Sequence, residues 1–241
     1  MIHYLTNRDI TILEHIIFLC EKSAKQIQFC FYKGKKQFYI SPKKNIFITF
    51  ELSTPIDFDY PISDLKSFLG KGKRKIDSDV IEVDRERLVL PTQEEIKNFE
   101  NKEKITQFEF SFEDFKKINS NKLSKFKYIN FMGVDKKFSY RLQNHIWDWW
   151  RDENNKSIIK KGKINLKFRY VLERYNLSRL LPNNFKVTLR KKVIQLTHKH
   201  LNYYFSPEVE FHGQGVKNFY SISNTVEDVD LINRYKKLKF I

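Results

Sequence analysis

The sequence predicts an α+β fold with room for two domains, and three observations carry this. Apolar residues alternate with period two in many short runs. Only a few short segments have helical periodicity. The order of one helix followed by strands recurs along the chain. The 241 residues, 41% hydrophobic and 15% aromatic, suffice for a core and for two domains of about 100 to 150 residues. The formal net charge of +16 admits anionic partners, nucleic acid first among them. Part of that basicity is compositional, because Lys, Asn, Ile and Phe are abundant together while Gly, Pro and Met are scarce, the bias of an AT-rich genome.

Thr6 to Lys22 reads as an amphipathic helix. Ile10, Leu13, Ile17 and Cys20 recur at three- and four-residue steps, Thr6 or Asn7 can cap it, and Arg8, His15 and Lys22 fall on the other face. Alternating runs follow at Ile27, Phe29 and Phe31, at Phe38 to Ile40 behind a Gly-Lys-Lys turn, and at Ile46, Ile48, Phe50 and Leu52. Pro61 is expected to open a second short helix through Ser63, Leu65, Phe68 and Leu69, with Gly70 as its stop. A strand is expected at Val80 to Leu90. The hydrophilic stretch Thr92 to Lys104 is the natural connector between domains.

The order then begins again. Thr106 to Phe110 is a strand, Ser111 an N-cap with Asp114 three residues on, and Phe115 and Ile118 form the apolar stripe of a helix reaching Leu123. Strands are expected at Phe126 to Phe131 and Phe138 to Leu142. A fourth helical segment runs from Leu172 to Leu181 before Pro182, followed by the alternating Phe185, Val187 and Leu189, then Val193 to Leu196 and Leu201 to Phe205. The helices begin near Asp9, Asp64, Asp114 and Glu173, about 50 to 60 residues apart. Ser63 to Phe68 and Glu113 to Ile118 share the order acid, apolar, Lys, any residue, apolar. Such a period suits repeated units that bury a face against a neighbour, and it equally fits an α+β protein with coincidental spacing.

Several chemistries are disfavoured. Cys20 and Cys30 lie in hydrophobic runs and have no disulfide-framework spacing, which suits a reducing setting. The first residues have no signal-peptide pattern, and no stretch approaches ~18 uninterrupted apolar residues, so no membrane span is expected. His198 and His200 are expected on one side of a strand, but no Cys or carboxylate pair with ligand spacing accompanies them, and no metal is implied. Asp57 and Asp59 are expected to share a strand face. Gly70 to Lys75 lacks the spacing of a phosphate-cradling loop and reads as a basic turn. Trp147, Trp149 and Trp150 suit core or interface packing better than base stacking. Neither a Ser-His-Asp nor a Cys-His signature is found, so no catalytic residue and no cofactor are expected.

Three collinear segments resemble the sliding clamps of T-even-type bacteriophages. Ile56 to Gly70 (IDFDYPISDLKSFLG) is similar to the strand-into-helix passage of the first clamp domain. Val83 to Glu95 (VDRERLVLPTQEE) is similar to its final strand and the start of the connector. Leu177 to Leu189 (LSRLLPNNFKVTL) is similar to the last helix, Pro turn and following strand, and Leu201 to Glu210 fits the closing strand. With the helix starts, the resemblance covers roughly residues 5 to 210. The family is usually acidic, Trp147 to Lys163 matches poorly, and Phe211 to Ile241 runs past the usual end.

The resemblance implies a DNA-clamp fold, two similar domains each with helices on the inner face and antiparallel sheets outside. Residues 1–91 would be the N-terminal domain, 92–104 the connector, 105–210 the C-terminal domain and 211–241 an extension. It further implies a homotrimeric ring around double-stranded DNA, tethering the replicative polymerase and opened by a clamp loader, in the cytoplasm of the infected host cell. Such a ring must attract phosphates without reading bases. The cations of the helices are the candidates: Arg8, His15 and Lys22; Lys66, Lys71, Lys73 and Arg74; Lys116, Lys117, Lys122 and Lys125; Arg174 and Arg179. Val89, Leu90 and Pro91, just before the connector, are the candidates for an apolar pocket that takes partner peptides. Two other classes compete: a monomeric basic viral protein holding single-stranded nucleic acid on its aromatic residues, and a nuclease with Asp57, Asp59, Glu113 and Asp114 on a metal.

Overall fold

The structure, a computed structural model, describes residues 1–20, 26–70, 72, 74–79, 88, 90–119, 126–134, 137–144, 158–163, 168–180 and 183–212. In chain order the elements are β1 (Ile2–Tyr4), α1 (Asn7–Cys20), β2 (Phe29–Phe31), β3 (Gly34–Ile40), β4 (Ile46–Ile56), β5 (Tyr60–Ile62), α2 (Leu65–Gly70), β6 (Lys75–Asp77), α3 (Gln93–Glu100), β7 (Lys104–Phe110), α4 (Phe112–Ile118), β8 (Tyr128–Val134), β9 (Lys137–Gln143), β10 (Ile158–Lys163), β11 (Phe168–Glu173), α5 (Arg174–Ser178), β12 (Phe185–Arg190), β13 (Val193–His198), β14 (Leu201–Phe205) and β15 (Val209–His212). The chain divides into two compact units. One comprises Met1–Lys117 with Asn176–Ser206, the other Ile118–Tyr175 with Pro207–Ile241.

The first unit is built on a six-stranded antiparallel sheet in the order β3-β4-β14-β13-β12-β7, with the two-stranded sheets β1-β6 and β2-β5 beside it. The pairing of β14 with β4, Leu201 opposite Phe50 and Phe205 opposite Ile46, joins strands more than half the chain apart. Successive side chains of a strand point to opposite faces. Tyr203 meets the ring of His15 on α1 at 5.7 Å and that of Phe185 at 6.1 Å, and Phe185 meets Phe115 on α4 at 5.7 Å. Its neighbour Tyr204 lies instead with Phe47, Val193 and Ile96 of α3. Helices α1 and α4 therefore pack on one face of this sheet and α3 on the other. The α3 face is in part polar: Arg190, Gln195, Thr197, Asn202 and Thr49 form a chain of side-chain hydrogen bonds.

The second unit is a five-stranded antiparallel sheet, β10-β9-β8-β11-β15. Arg174, at the start of α5, gives its Nε to Phe126 O at 2.7 Å and its Nη1 to Ile118 O at 3.3 Å.

Pairings recur between the halves of the sequence. β1 pairs with β6 as β7 does with β12, β2 with β5 as β8 does with β11, and β3 with β4 as β9 does with β10. Local hydrogen bonds recur as well. The amide of Leu65 donates to Ile27 O and that of Arg174 to Lys127 O, both at 2.8 Å. The caps match: Asp9 accepts from Thr6 N at 2.9 Å and Thr6 Oγ1 at 2.7 Å, and Asp114 accepts from Ser111 N at 2.9 Å and Ser111 Oγ at 2.8 Å. In each case the cap hydroxyl accepts the amide of the acid in return, a reciprocal capping box with Asp in the usual Glu position.

Three local expectations need correction. The buried stripe of α1 is Asp9, Ile12, Leu13, His15, Ile16, Leu19 and Cys20, while Ile10 and Ile17 are half-buried, because a buried acid and a buried imidazole rotate the inward face away from the apolar count. Pro61 belongs to β5, and α2 is instead capped by Asp64, whose carboxylate accepts from the amides of Lys66 and Ser67. The fourth helix is only Arg174–Ser178, and Leu172 lies in β11. The stretch expected to be the connector, Thr92 to Lys104, holds α3, capped by Thr92 and Glu95. Within the basic turn expected at Gly70 to Lys75, Gly72 sits at φ 67° with its amide donating to Leu69 O at 2.9 Å, and Lys75 opens β6. The expected strand at Val80 to Leu90 lies largely outside the described residues, as do Leu123, Trp147, Trp149 and Trp150.

Candidate functional site

The exposed ends of the helical layer carry cations. Arg8 on α1, Lys66 on α2, Arg74 before β6, and Lys116 and Lys117 on α4 are all exposed, and α2 packs beside α1. Arg8 donates to Glu51 O of β4 at 3.4 Å, and Arg74 to Asn7 Oδ1 at the start of α1 at 2.9 Å. Lys116 stands 4.5 Å from the centre of the exposed Phe112 ring and 3.3 Å from Glu113. These side chains face solvent because Asp114, Phe115 and Ile118 of α4, and Leu65 and Phe68 of α2, take the inward positions. They place five exposed cations on or just beyond the helices, and among these Arg8, Arg74 and Lys116 have named partners.

Three of the predicted cations are placed differently. His15 is only 6% exposed; burial first, and the Arg179 charge second, push its pKa down to about 4, so it is neutral near pH 7. Arg179 is 7% exposed, with its guanidinium carbon 4.0 Å over the ring of Phe18, itself exposed on α1. Arg174 is half-buried with its guanidinium on carbonyls, and burial lowers its pKa. Helical periodicity puts His15 outside because it scores imidazole as polar. Lys22, Lys71, Lys73, Lys122 and Lys125 lie outside the described residues.

At the end of β3, the first unit holds a cavity of about 410 Å³. One wall is the end of β3 and its turn, with Tyr39, Ile40, Ser41, Pro42 and Lys44. Leu90 and Pro91, ahead of α3, and Glu95 in its first turn form another, and Gln26 and Gln28 complete it. Two of the three pocket residues expected from the sequence therefore line a real cavity, while Val89 lies outside the described residues. The turn is tightly held: Lys44 N donates to Ser41 O at 2.7 Å, Ser41 Oγ bonds Asn45 Oδ1 at 2.8 Å, and Ile46 N donates to Ser41 Oγ at 3.1 Å. Lys44 sits at φ 52°, in the left-handed region that few non-glycine residues occupy. Its ammonium pairs with Glu95 Oε1, while Glu95 Oε2 accepts from Thr92 N at 3.0 Å. The hydrogen bond from Lys44 first, and that from the Thr92 amide next, lower the Glu95 pKa.

The competing constellations are not assembled. Asp57 lies beyond the end of β4, and Asp59 accepts the amide of Lys33 at 2.7 Å, so the two do not share a strand. Asp114 is committed to the α4 cap. His198 contacts Asn184 O at 3.0 Å and packs on Phe185, whereas His200, in the following turn, lies 3.2 Å from Glu51. Burial pushes the Cys20 thiol up to about 11, away from nucleophilic chemistry.

No family model matches the chain, and no curated protein matches it. Solved structures do. The PCNA2–PCNA3 complex of Sulfolobus tokodaii superposes with a TM-score of 0.53 at 12% identity, over 86% of this chain and 99% of that one. The Helicobacter pylori β clamp bound to a DNA ligase peptide gives 0.59 at 13%, over 86% of this chain and 65% of that one. DNA polymerase III subunit β of Pseudomonas aeruginosa gives 0.57 at 8%, over 89% and 67%. The chain thus spans about two thirds of each bacterial subunit and nearly all of the archaeal one. Antiparallel sheets with the first helix of each half of the sequence on one face, and this likeness to the clamps, make the fold of the chain the DNA-clamp fold.

Proposed function

We propose that this chain is a DNA sliding clamp, a processivity factor that encircles duplex DNA and tethers a replicative polymerase without catalysing a reaction. The observation that carries the proposal is the placement of α1 and α4 on one face of the six-stranded sheet, with Arg8, Lys66, Arg74, Lys116 and Lys117 exposed on or beside the helical layer. Diffuse cations on a helical lining hold phosphates without specifying sequence, which is what sliding requires. Residues 1–91 and 105–210 act as two copies of one domain, as the recurring pairings suggest, and three subunits close a T-even-type ring. The cavity of Leu90 and Pro91 takes an apolar peptide of the polymerase or loader, by analogy with the ligase peptide on the Helicobacter clamp. The setting is the cytoplasm of the infected host cell.

The test is electrostatic. Lys66→Glu, Lys116→Glu and Lys117→Glu together should flatten the dependence of log affinity for duplex DNA on log salt by about 0.9 for each phosphate that is no longer neutralised. Solution mass should stay near three times the 29.2 kDa chain. An unchanged salt slope in a variant of unchanged mass would remove these helices from the DNA path.

A further inference from the structure

We infer that the ion pair between Lys44 and Glu95 is an exchangeable latch across the cavity mouth, and that the cavity selects an acidic peptide, one whose carboxylate replaces Glu95 on Lys44 beside an apolar anchor. The inference rests on the cavity being the peptide site proposed above. Lys44 belongs to the wall formed by the β3–β4 turn and Glu95 to the wall formed at the start of α3, so this ion pair bridges the two. The partners are unequal. Glu95 keeps its Oε2 on the Thr92 amide and stands at the N-terminus of α3, where the helix dipole favours a carboxylate whether or not Lys44 is present. Among the described residues of the cavity wall Lys44 has no such second anchor, so displacing Glu95 frees its ammonium for another carboxylate.

The latch is weak enough to exchange. Both side chains reach solvent, 61% and 30% exposed, and an exposed ion pair contributes about 0.2 to 1 kcal/mol. A partner carboxylate can therefore substitute at little cost. The backbone of Lys44 is held by the Ser41 and Asn45 hydrogen bonds at positive φ, so its side chain is presented from a fixed base. Tyr39, Ile40, Pro42, Leu90 and Pro91 supply the apolar surface that an acidic group alone would lack.

The experiment selects a displayed library of short random peptides on the full chain, on Lys44→Gln and on Lys44→Glu, with Leu90→Asp as control. The wild type should enrich peptides that join Asp or Glu to large apolar residues. Lys44→Gln should bind the best of them about five-fold more weakly, the equivalent of about 1 kcal/mol, while still enriching the apolar residues. Lys44→Glu should turn the preference towards Lys and Arg. Apolar enrichment with no acidic preference in the wild type, or the same acidic preference in Lys44→Glu, overturns the latch and leaves the peptide site standing. No enrichment on the wild type, or enrichment untouched by Leu90→Asp, overturns the peptide site and the latch with it.

Discussion

Replacing Asp9 with Ala should remove one of the most connected polar groups of the first unit. Its carboxylate is fully buried and accepts from Thr6 N, Thr6 Oγ1, Ser53 N and Ser53 Oγ at 2.7 to 3.0 Å, tying the start of α1 to β4. An N-cap interaction is worth about 1 kcal/mol, and a buried donor left without an acceptor costs about 1 to 3 kcal/mol. Thr6 is exposed and water can reach its amide, whereas Ser53 is half-buried, so the combined loss should be about 3 kcal/mol. For a chain of this size that lowers Tm by roughly 10 °C. Burial alone would raise the Asp9 pKa, but the hydrogen bonds of Thr6 and Ser53 outweigh it and hold the carboxyl below its ordinary value. A depressed acid stabilises the fold above the unfolded pKa near 3.9 and loses that contribution as pH falls through the folded pKa. Thermal unfolding of wild type, Asp9→Ala and the exposed control Glu14→Ala should show a constant deficit for Asp9→Ala between about pH 5 and 8 that shrinks below about pH 4. A Tm within about 2 °C of wild type, or a deficit independent of acid, would refute the role of this carboxylate.

His15 should make the fold acid-sensitive in a higher window. With a folded pKa of about 4 against about 6.5 unfolded, its contribution is whole above pH 6.5 and falls as pH drops towards 4, by about 2 kcal/mol at pH 5. His15→Phe should flatten urea stability across that range, and an unaltered slope would contradict a buried neutral imidazole. Ile96→Ala, in the core with Phe47, Val193 and Tyr204, should cost about 2 to 4 kcal/mol and speed amide exchange in α3, whereas unchanged exchange would mean that the helix is held elsewhere. Leu90→Asp should weaken polymerase binding by about ten-fold or more, as expected for a charge placed against an apolar wall, while leaving the solution mass unaltered; an unaltered affinity would take Leu90 out of the partner site.

Much of the fold is legible where side chains alternate or recur at one-sided spacing. The runs at Phe38, Ile46, Phe185, Val193 and Leu201 all lie in strands, and Ser111 with Asp114 caps a helix as expected. What periodicity misses has specific causes. In β11, Phe168 to Leu172 are all buried, so there is no alternation to detect, and Arg169 in its midst disguises a core strand. In α3 the Thr92-x-x-Glu95 capping box is a helix signal, but charged residues around Ile96 and Phe99 give the segment the composition of a linker. The inward face of α1 is hidden because periodicity counts Asp9 and His15 as solvent-seeking, although one is satisfied by four donors and the other is uncharged. The cavity is reached from the sequence through Leu90 and Pro91 by resemblance, while Lys44 and Glu95, far apart in sequence, meet only in three dimensions.

A topological link is the property that distinguishes a clamp from any other basic protein on DNA. The direct measurement loads the labelled chain, with its loader, onto a nicked circular duplex, divides the complex, cuts one portion with a restriction enzyme and follows retention of the protein through gel filtration. A sliding ring should stay on the circle for the length of the column and leave the linear form through its ends. Equal retention on both forms would contradict the proposal whatever the fold, and would favour a protein that holds nucleic acid by local contacts.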